Sequence, residues 1–132
     1  MSYNFLIVED EMLIAYTMAD AIAAMGHRAI GIAAHREDAL AMSDTAEIAL
    51  VDVTLRDGAT GPEIGEMLAD KGVTVLFMTG DPNRLGDGVP GTVGVITKPV
   101  MDLDLLCAIQ YAVDQRSNLP SIAPHGVTLF KH

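Results

Sequence analysis

The sequence predicts an α/β domain in which helices cover both faces of a parallel sheet. Short apolar runs with the length of buried strands alternate along the chain with segments whose apolar residues recur at helical spacing. In addition, four of the apolar runs end abruptly in polar or charged residues, the kind of residue found where parallel strands end at a functional edge. The chain has 132 residues, which is the size of one domain.

The first half of the chain contains three predicted strands and two predicted helices. We predict a strand at residues 3–8, a helix at 12–25, a strand at 28–33, a short helix at 36–42 and a strand at 48–51. Gly26 ends the first helix, since glycine is common directly after a helix. The first strand is followed by Glu9 and Asp10, and the third by Asp52.

The second half continues the alternation after a turn of small residues at 57–62. Pro62 fits the first turn of a helix that ends near Lys71. We predict strands at 73–78 and 93–96, which are followed by Thr79 and Lys98, and a last helix that begins near Asp102. The apolar positions of that helix are Leu103, Leu106, Ile109 and Val113, and we expect Cys107 to be packed in the core.

Residues 81–92 interrupt the alternation where a further helix would belong. This segment contains three glycines and two prolines. Each glycine costs a helix about 1 kcal/mol and each interior proline about 3 kcal/mol. A degraded fourth helix is therefore expected, with at most one turn near 83–85.

Composition excludes several classes of function. With 18 acidic and 8 basic residues the net charge is −10, which argues against a nucleic-acid partner. The single cysteine, Cys107, excludes an internal disulfide and a cysteine-based zinc site. No apolar run approaches 18 residues and the start has no basic segment, so we expect a cytoplasmic protein without a membrane partner.

The polar residues at the strand ends together supply the functional groups for one kind of reaction. Carboxylates from Glu9, Asp10 and Asp52 would repel one another at one edge of the sheet, and a hard divalent cation such as Mg²⁺ would remove that conflict. Lys98 adds a positive charge, and Thr79 adds a hydroxyl that can donate to an oxyanion. These are the parts that phosphoryl transfer needs.

These residues resemble the four signatures of the receiver domain of two-component response regulators. The signatures are Ile7-Val8-Glu9-Asp10-Glu11, Leu50-Val51-Asp52-Val53, Phe77-Met78-Thr79-Gly80 and Thr97-Lys98-Pro99. The resemblance covers about residues 3–116. It implies a doubly wound, flavodoxin-like fold with five strands in the order 2-1-3-4-5, a receiver domain at 1–116 and a C-terminal tail at 117–132.

The resemblance also implies a role for each site residue. Asp52 would accept a phosphoryl group from a histidine kinase or phosphotransferase. Glu9, Asp10, Asp52 and the backbone carbonyl of Thr54 would hold Mg²⁺. Thr79 and Lys98 would bind the phosphoryl group, and Pro99 would follow a cis peptide bond. The output would be a contact between this stand-alone receiver and another protein.

Two features depart from the commonest receiver pattern. The aromatic switch residue usually lies three positions before the lysine, where this chain has Val95. The Gly/Pro-rich segment 81–92 also stands where receivers carry a helix. Phe77-Met78-Thr79-Gly80 is similar to the Phe-Ala-Thr-Gly run of an atypical receiver group from alphaproteobacteria, whose single-domain members act in general stress signalling.

Two alternatives to a working receiver remain at this point. Haloacid-dehalogenase-type phosphatases also combine a nucleophilic Asp, a Thr or Ser, a Lys and Mg²⁺, but their general acid lies two residues after the nucleophile, where this chain has Thr54. A degenerate receiver that only binds partners is disfavoured by the complete acceptor set. The polar start of segment 117–132 favours a frayed tail, with a contact of its apolar end as the alternative.

Overall fold

The computed structural model describes residues 2–55, 58–100 and 102–130, and the predicted turn residue Asp57 lies outside them. Six strands and four α-helices are present in these ranges. The strands are β1 (Asn4–Val8), β2 (Arg28–Ala33), β3 (Ile48–Asp52), β4 (Thr74–Thr79), β5 (Gly94–Thr97) and β6 (Val127–Leu129). The helices are α1 (Met12–Ala24), α2 (Arg36–Met42), α3 (Gly61–Asp70) and α4 (Asp102–Arg116).

The six strands form one sheet in the order β2-β1-β3-β4-β5-β6. The first five are parallel, so the predicted order 2-1-3-4-5 is confirmed. β6 is antiparallel to β5 and comes from the segment expected to fray. That expectation is wrong for residues 127–129, because their backbone pairs with the edge of β5.

The helices cover the sheet from both sides, as predicted. On one face, α1 and α4 pack over a core of Phe5, Ile7, Leu50, Leu76 and Ile96. On the other face, α2 and α3 pack over Leu6, Val8, Val51, Val75 and Phe77. All ten of these strand side chains are almost fully buried. The buried central strands fix the position of the residues at their carboxyl ends.

Residues 80–93 contain no α-helix, which confirms the predicted loss of the fourth helix. The segment holds one 3-10 turn at Pro82–Leu85, capped by the Asp81 side chain, which accepts a hydrogen bond of 3.1 Å from the Asn83 amide. Three glycines of this loop have positive φ angles, among them Gly88 with φ of 115°. A right-handed helix needs negative φ angles, so it cannot continue through this stretch. Glycine adopts positive φ angles without steric cost, which is why it occupies these positions.

The core-facing side of α4 differs from the predicted one. Leu103 is 70% exposed, Leu106 is 36% exposed, and Cys107 is exposed rather than packed. Leu105, Ala108 and Ala112 face the core together with the predicted Ile109 and Val113. The helix carries apolar residues on several sides, so apolar spacing alone did not identify its buried side.

Candidate functional site

Three acidic side chains meet where β1 and β3 end. Asp52 is the last residue of β3, and Glu9 directly follows β1. Val8 pairs with Val51 in neighbouring strands, so the parallel register brings these strand ends side by side. One carboxylate oxygen from each of Glu9, Asp10 and Asp52 lies within 4.8 Å of the others. The register of two buried strands therefore builds the acidic cluster.

Lys98 links two of these carboxylates. Its ammonium donates to Glu9 Oε1 at 2.9 Å and to Asp52 Oδ2 at 3.0 Å. Burial lowers the pKa of Lys98, but the hydrogen bonds to Glu9 and Asp52 outweigh this effect and raise it. The lysine is therefore held in its charged form at the centre of the site. The peptide bond between Lys98 and Pro99 is cis, as expected.

Glu9 is the most enclosed member of the cluster, with no exposed surface. Its Oε2 accepts hydrogen bonds from the amides of Asp10 at 3.1 Å and Glu11 at 3.4 Å. Burial, followed by the proximity of Asp52, raises the pKa of Glu9 to about 7 despite the opposing effect of Lys98. Burial therefore disfavours the charged form of Glu9, and Lys98 offsets only part of this effect.

The donor set of this cluster fits Mg²⁺. Hard carboxylate oxygens, few in number and open to water on one side, suit this ion better than they suit softer metals. A divalent cation would also favour the charged form of Glu9, against the burial and the proximity of Asp52 that raise its pKa. Glu9, Asp10 and Asp52 are the residues that could hold it.

Thr54 and Thr79 lie at the rim of the same site. The Thr54 amide donates to Asp52 Oδ1 at 3.2 Å, which orients the carboxylate. Thr79 is the last residue of β4, and its hydroxyl accepts a hydrogen bond of 3.1 Å from the Asp81 amide. The hydroxyl is thus engaged with the following loop and does not contact Asp52 in this arrangement.

An open cleft of about 520 Å³ joins these groups. Its lining includes Asp10, Asp52, Thr54, Thr79 and Lys98, so the structure brings five of the six predicted site residues to one surface. The sixth, Glu9, is buried and accepts a hydrogen bond from Lys98.

Sequence reasoning missed Arg84 and Glu11, which also line the cleft. Arg84 donates to Thr54 Oγ1 at 3.0 Å. Its only sequence signal is that it is the single basic residue between 81 and 92.

No helix in the described ranges is long and apolar enough to cross a bilayer. The described residues of the site are contributed by strand ends and loops, which is the usual place for functional groups in an open parallel sheet.

One curated protein and several solved structures are similar to this chain. The chain is similar to the phyllosphere-induced regulator PhyR of Methylorubrum extorquens, with 30% identity over 118 residues. That match covers 86% of this chain and 44% of the relative, so the chain spans about half the length of the curated relative it matches. No protein-family model matches the chain.

Two solved structures are also similar. The receiver domain of the Erythrobacter litoralis response regulator PhyR has 30% identity and a TM-score of 0.72, and the match covers 92% of this chain and 96% of that domain. The response regulator PhyR of Brucella abortus has 29% identity and a TM-score of 0.77, with 89% of this chain and 50% of that protein covered.

Proposed function

The chain belongs to the receiver domains of response regulators, and from this premise we propose that Asp52 accepts a phosphoryl group from a phosphohistidine. The donor would be a histidine kinase or a phosphotransferase protein. As a receiver domain the chain is a signalling switch and not an enzyme, so the phosphatase alternative is set aside. The observation that carries the proposal is the position of Lys98 between Glu9 and Asp52, at the floor of an open cleft.

The geometry supports a separate role for each site residue in phosphoryl transfer. An Asp52 carboxylate oxygen attacks phosphorus, the bond from phosphorus to the imidazole nitrogen breaks, and its electron pair returns to the imidazole. Lys98 Nζ, 3.0 Å from Asp52 Oδ2, is placed to pair with a phosphoryl oxygen. Mg²⁺ held by Glu9, Asp10, Asp52 and the Thr54 carbonyl would supply further positive charge for the other oxygens.

We propose that Thr79 transmits the modification to the rest of the chain. Its hydroxyl now holds the Asp81 amide at 3.1 Å. The same hydroxyl donates to the Asp81 carbonyl at 3.3 Å. If it turns to donate to a phosphoryl oxygen, the bond to that carbonyl is lost and residues 80–92 lose an anchor. Val95 has no ring that could swing between two positions, so we assign the output to this loop.

Two further assignments belong to the same proposal. Residues 1–116 form the receiver unit, and residues 117–132 are an appended segment, of which residues 127–129 add a sixth strand to the sheet. The protein acts in the cytoplasm, where histidine kinases deliver phosphoryl groups, and signals through contacts with another protein.

The test of phosphoryl acceptance is intact-protein mass spectrometry after incubation with acetyl phosphate and Mg²⁺. A phosphoryl group adds roughly 80 Da, and we expect this adduct in the wild type and not in Asp52→Asn, because an amide is a poor nucleophile. Asp44→Asn is the matched control, since the Asp44 side chain is 90% exposed and lies outside the cleft. An undiminished adduct in Asp52→Asn would contradict the assignment.

The test of the output loop is amide hydrogen exchange with and without beryllium fluoride, a phosphoryl mimic, and Mg²⁺. We expect the largest change in protection between Gly80 and Thr92, with a smaller one around Val95. Few backbone hydrogen bonds hold this loop, so its rearrangement costs little free energy. If the largest change in protection lay near residues 33–44, it would contradict the assignment of the output to the loop.

A further inference from the structure

The outer edge of β5 is covered by the C-terminal end of the described chain. β6 pairs antiparallel with β5, with Gly94 opposite Leu129 and Ile96 opposite Val127. The Thr97 amide donates to the Gly126 carbonyl at 2.9 Å, and the Phe130 amide donates to the Val93 carbonyl at 3.2 Å. These contacts satisfy backbone groups that an uncovered edge strand would present to other chains.

Phe130 contributes the apolar part of this cover. Its ring lies 6.2 Å from the ring of Phe77, on the sheet face where α2 and α3 are the α-helices of the described chain. A Cβ atom at Gly88 would come within 2.5 Å of Phe130 Cγ, so the ring packs directly on the backbone of the Gly/Pro-rich loop. The ring therefore takes over part of the cover that a helix at 81–92 would otherwise give.

The segment that covers the edge of β5 is short, and another extended segment could take its place. Only three residue pairs join β6 to β5, and residues 119–124, which lead to it, contain no helix or strand. Ile122 in that connection is 92% exposed and Leu129 is 46% exposed. Such a short strand, tied to the fold through an irregular connection, opens at low free-energy cost compared with the central strands.

The loop that holds Phe130 is the loop that begins at Thr79. The segment from Thr79 to Gly88 is linked by short-range hydrogen bonds, from the Asp81 amide to the Thr79 hydroxyl and from the Gly88 amide to the Leu85 carbonyl at 2.9 Å. If Thr79 turns towards Asp52, the position of Gly88 changes and the packing surface for Phe130 changes with it.

We propose that the edge of β5 is a strand-binding surface for a partner protein, that residues 126–130 occupy it in the unmodified chain, and that phosphorylation of Asp52 uncovers it. The inference rests on the proposed function for its trigger. The partner provides an extended segment with an aromatic side chain, because that is the chemistry the edge already binds in Val127–Phe130. A different protein is favoured over a second copy, since two copies would each carry a net charge of −10.

The experiment uses the full chain and a fluorescent peptide with the sequence of residues 124–130, followed by fluorescence anisotropy. The wild type binds this probe weakly, because its own segment competes for the edge. Phe130→Ala removes the ring that anchors the competitor, so it binds the peptide about tenfold more tightly, as expected when a site that is mostly closed becomes open. Beryllium fluoride with Mg²⁺ produces a similar gain in the wild type.

Two further variants complete the experiment, one as a control and one as a second way to displace β6. Thr128→Ala changes an exposed side chain of the same strand and leaves both Phe130 and the backbone pairing in place, so it behaves as the wild type. Val127→Ala is the second route to an open edge, because it removes a β6 side chain that packs against the core and leaves β5 itself unchanged. It replaces Phe130→Ala if that variant fails to fold.

The outcomes separate this inference from the proposed function. If no adduct forms on Asp52, the proposed function fails, whereas the Phe130→Ala comparison still tests the strand-binding surface. If the adduct forms and the amides of Phe130 and Thr97 keep their hydrogen-exchange protection, the proposed uncovering is overturned. Equal peptide binding by the wild type and both opening variants, or dimers of Phe130→Ala in place of peptide binding, would overturn the partner surface itself.

Discussion

The Arg84 guanidinium donates a hydrogen bond of 3.0 Å to Thr54 Oγ1, which joins the loop after β4 to the loop after β3. Thr54 lies two residues after Asp52, and Arg84 and Thr54 both line the cleft that contains the Asp52 carboxylate. Arg84 therefore adds a second cation at the rim, beside the lysine at the floor. An arginine in this position can pair with the oxygens of an incoming phosphoryl group.

Arg84→Ala should slow phosphorylation of Asp52 by acetyl phosphate. A hydrogen bond to a charged group contributes about 1.5–3 kcal/mol when enclosed, and exposure of Arg84 reduces this to about 1 kcal/mol, which is roughly a fivefold slower rate. The time course of the mass adduct measures the effect. Arg36→Ala is the control, because Arg36 is an exposed arginine that pairs with Glu63 outside the cleft. Equal rates in the two variants would rule out this role.

Asp10→Ala should weaken Mg²⁺ binding by at least about tenfold, which corresponds to about 1.4 kcal/mol. The change removes one of the three carboxylates that lie within 4.8 Å of one another. Isothermal titration calorimetry with Mg²⁺ measures the affinity, and adduct formation should fall with it. The control is Asp20→Ala on the exposed side of α1. Wild-type affinity in Asp10→Ala would refute the metal assignment.

A third prediction concerns the packing of α3 on the sheet. A Cβ atom at Gly65 would stand 2.2 Å from Phe77 Cζ, and both residues are buried. Overpacking costs about 1–3 kcal/mol, whereas the better helix propensity of alanine returns up to about 1 kcal/mol. Gly65→Ala should therefore lower the free energy of unfolding by about 1–2 kcal/mol in chemical denaturation. Glu66→Ala, exposed on the same helix, should not; a stability gain in Gly65→Ala would contradict the argument.

The central sheet was predictable because its strands are buried on both faces. Continuous apolar runs bounded by carboxylates or glycine leave few choices of position, so the strands predicted at 3–8, 48–51 and 73–78 lie within one residue of β1, β3 and β4. The convergence of Glu9, Asp10 and Asp52 followed from the same reasoning, since parallel strands end at one edge. The pairing of strands that are distant in the sequence then depended only on the strand order. The resemblance to receiver domains supplied that order.

Elements whose position depends on a distant partner were not predictable. β6 has three residues and follows a polar segment, and only the edge of β5 makes it a strand. Arg84 reaches the cleft through the geometry of a 3-10 turn, which local propensity does not specify. Leu103 and Leu106 match the apolar spacing of a buried stripe, but the sheet packs against a neighbouring side of α4.

His27 gives the fold a pH-dependent contact far from the cleft. Its Nδ1 accepts a hydrogen bond of 3.0 Å from the Tyr3 amide, and its ring lies 5.9 Å from the ring of Tyr3 and 5.5 Å from that of Phe5. Burial lowers the pKa of His27 below its ordinary value of 6.5. A protonated Nδ1 cannot accept the amide hydrogen bond, so the folded chain favours the neutral ring.

Stability should therefore fall as the pH drops through about 6.5, because the unfolded chain takes up the His27 proton more readily than the folded chain does. His27→Gln removes this contribution, and its free energy of unfolding should fall less between about pH 7.5 and 5.5 in chemical denaturation. Glu9, with a pKa raised to about 7, titrates in both chains, so the difference between them isolates His27. Parallel pH profiles for the wild type and His27→Gln would contradict this account.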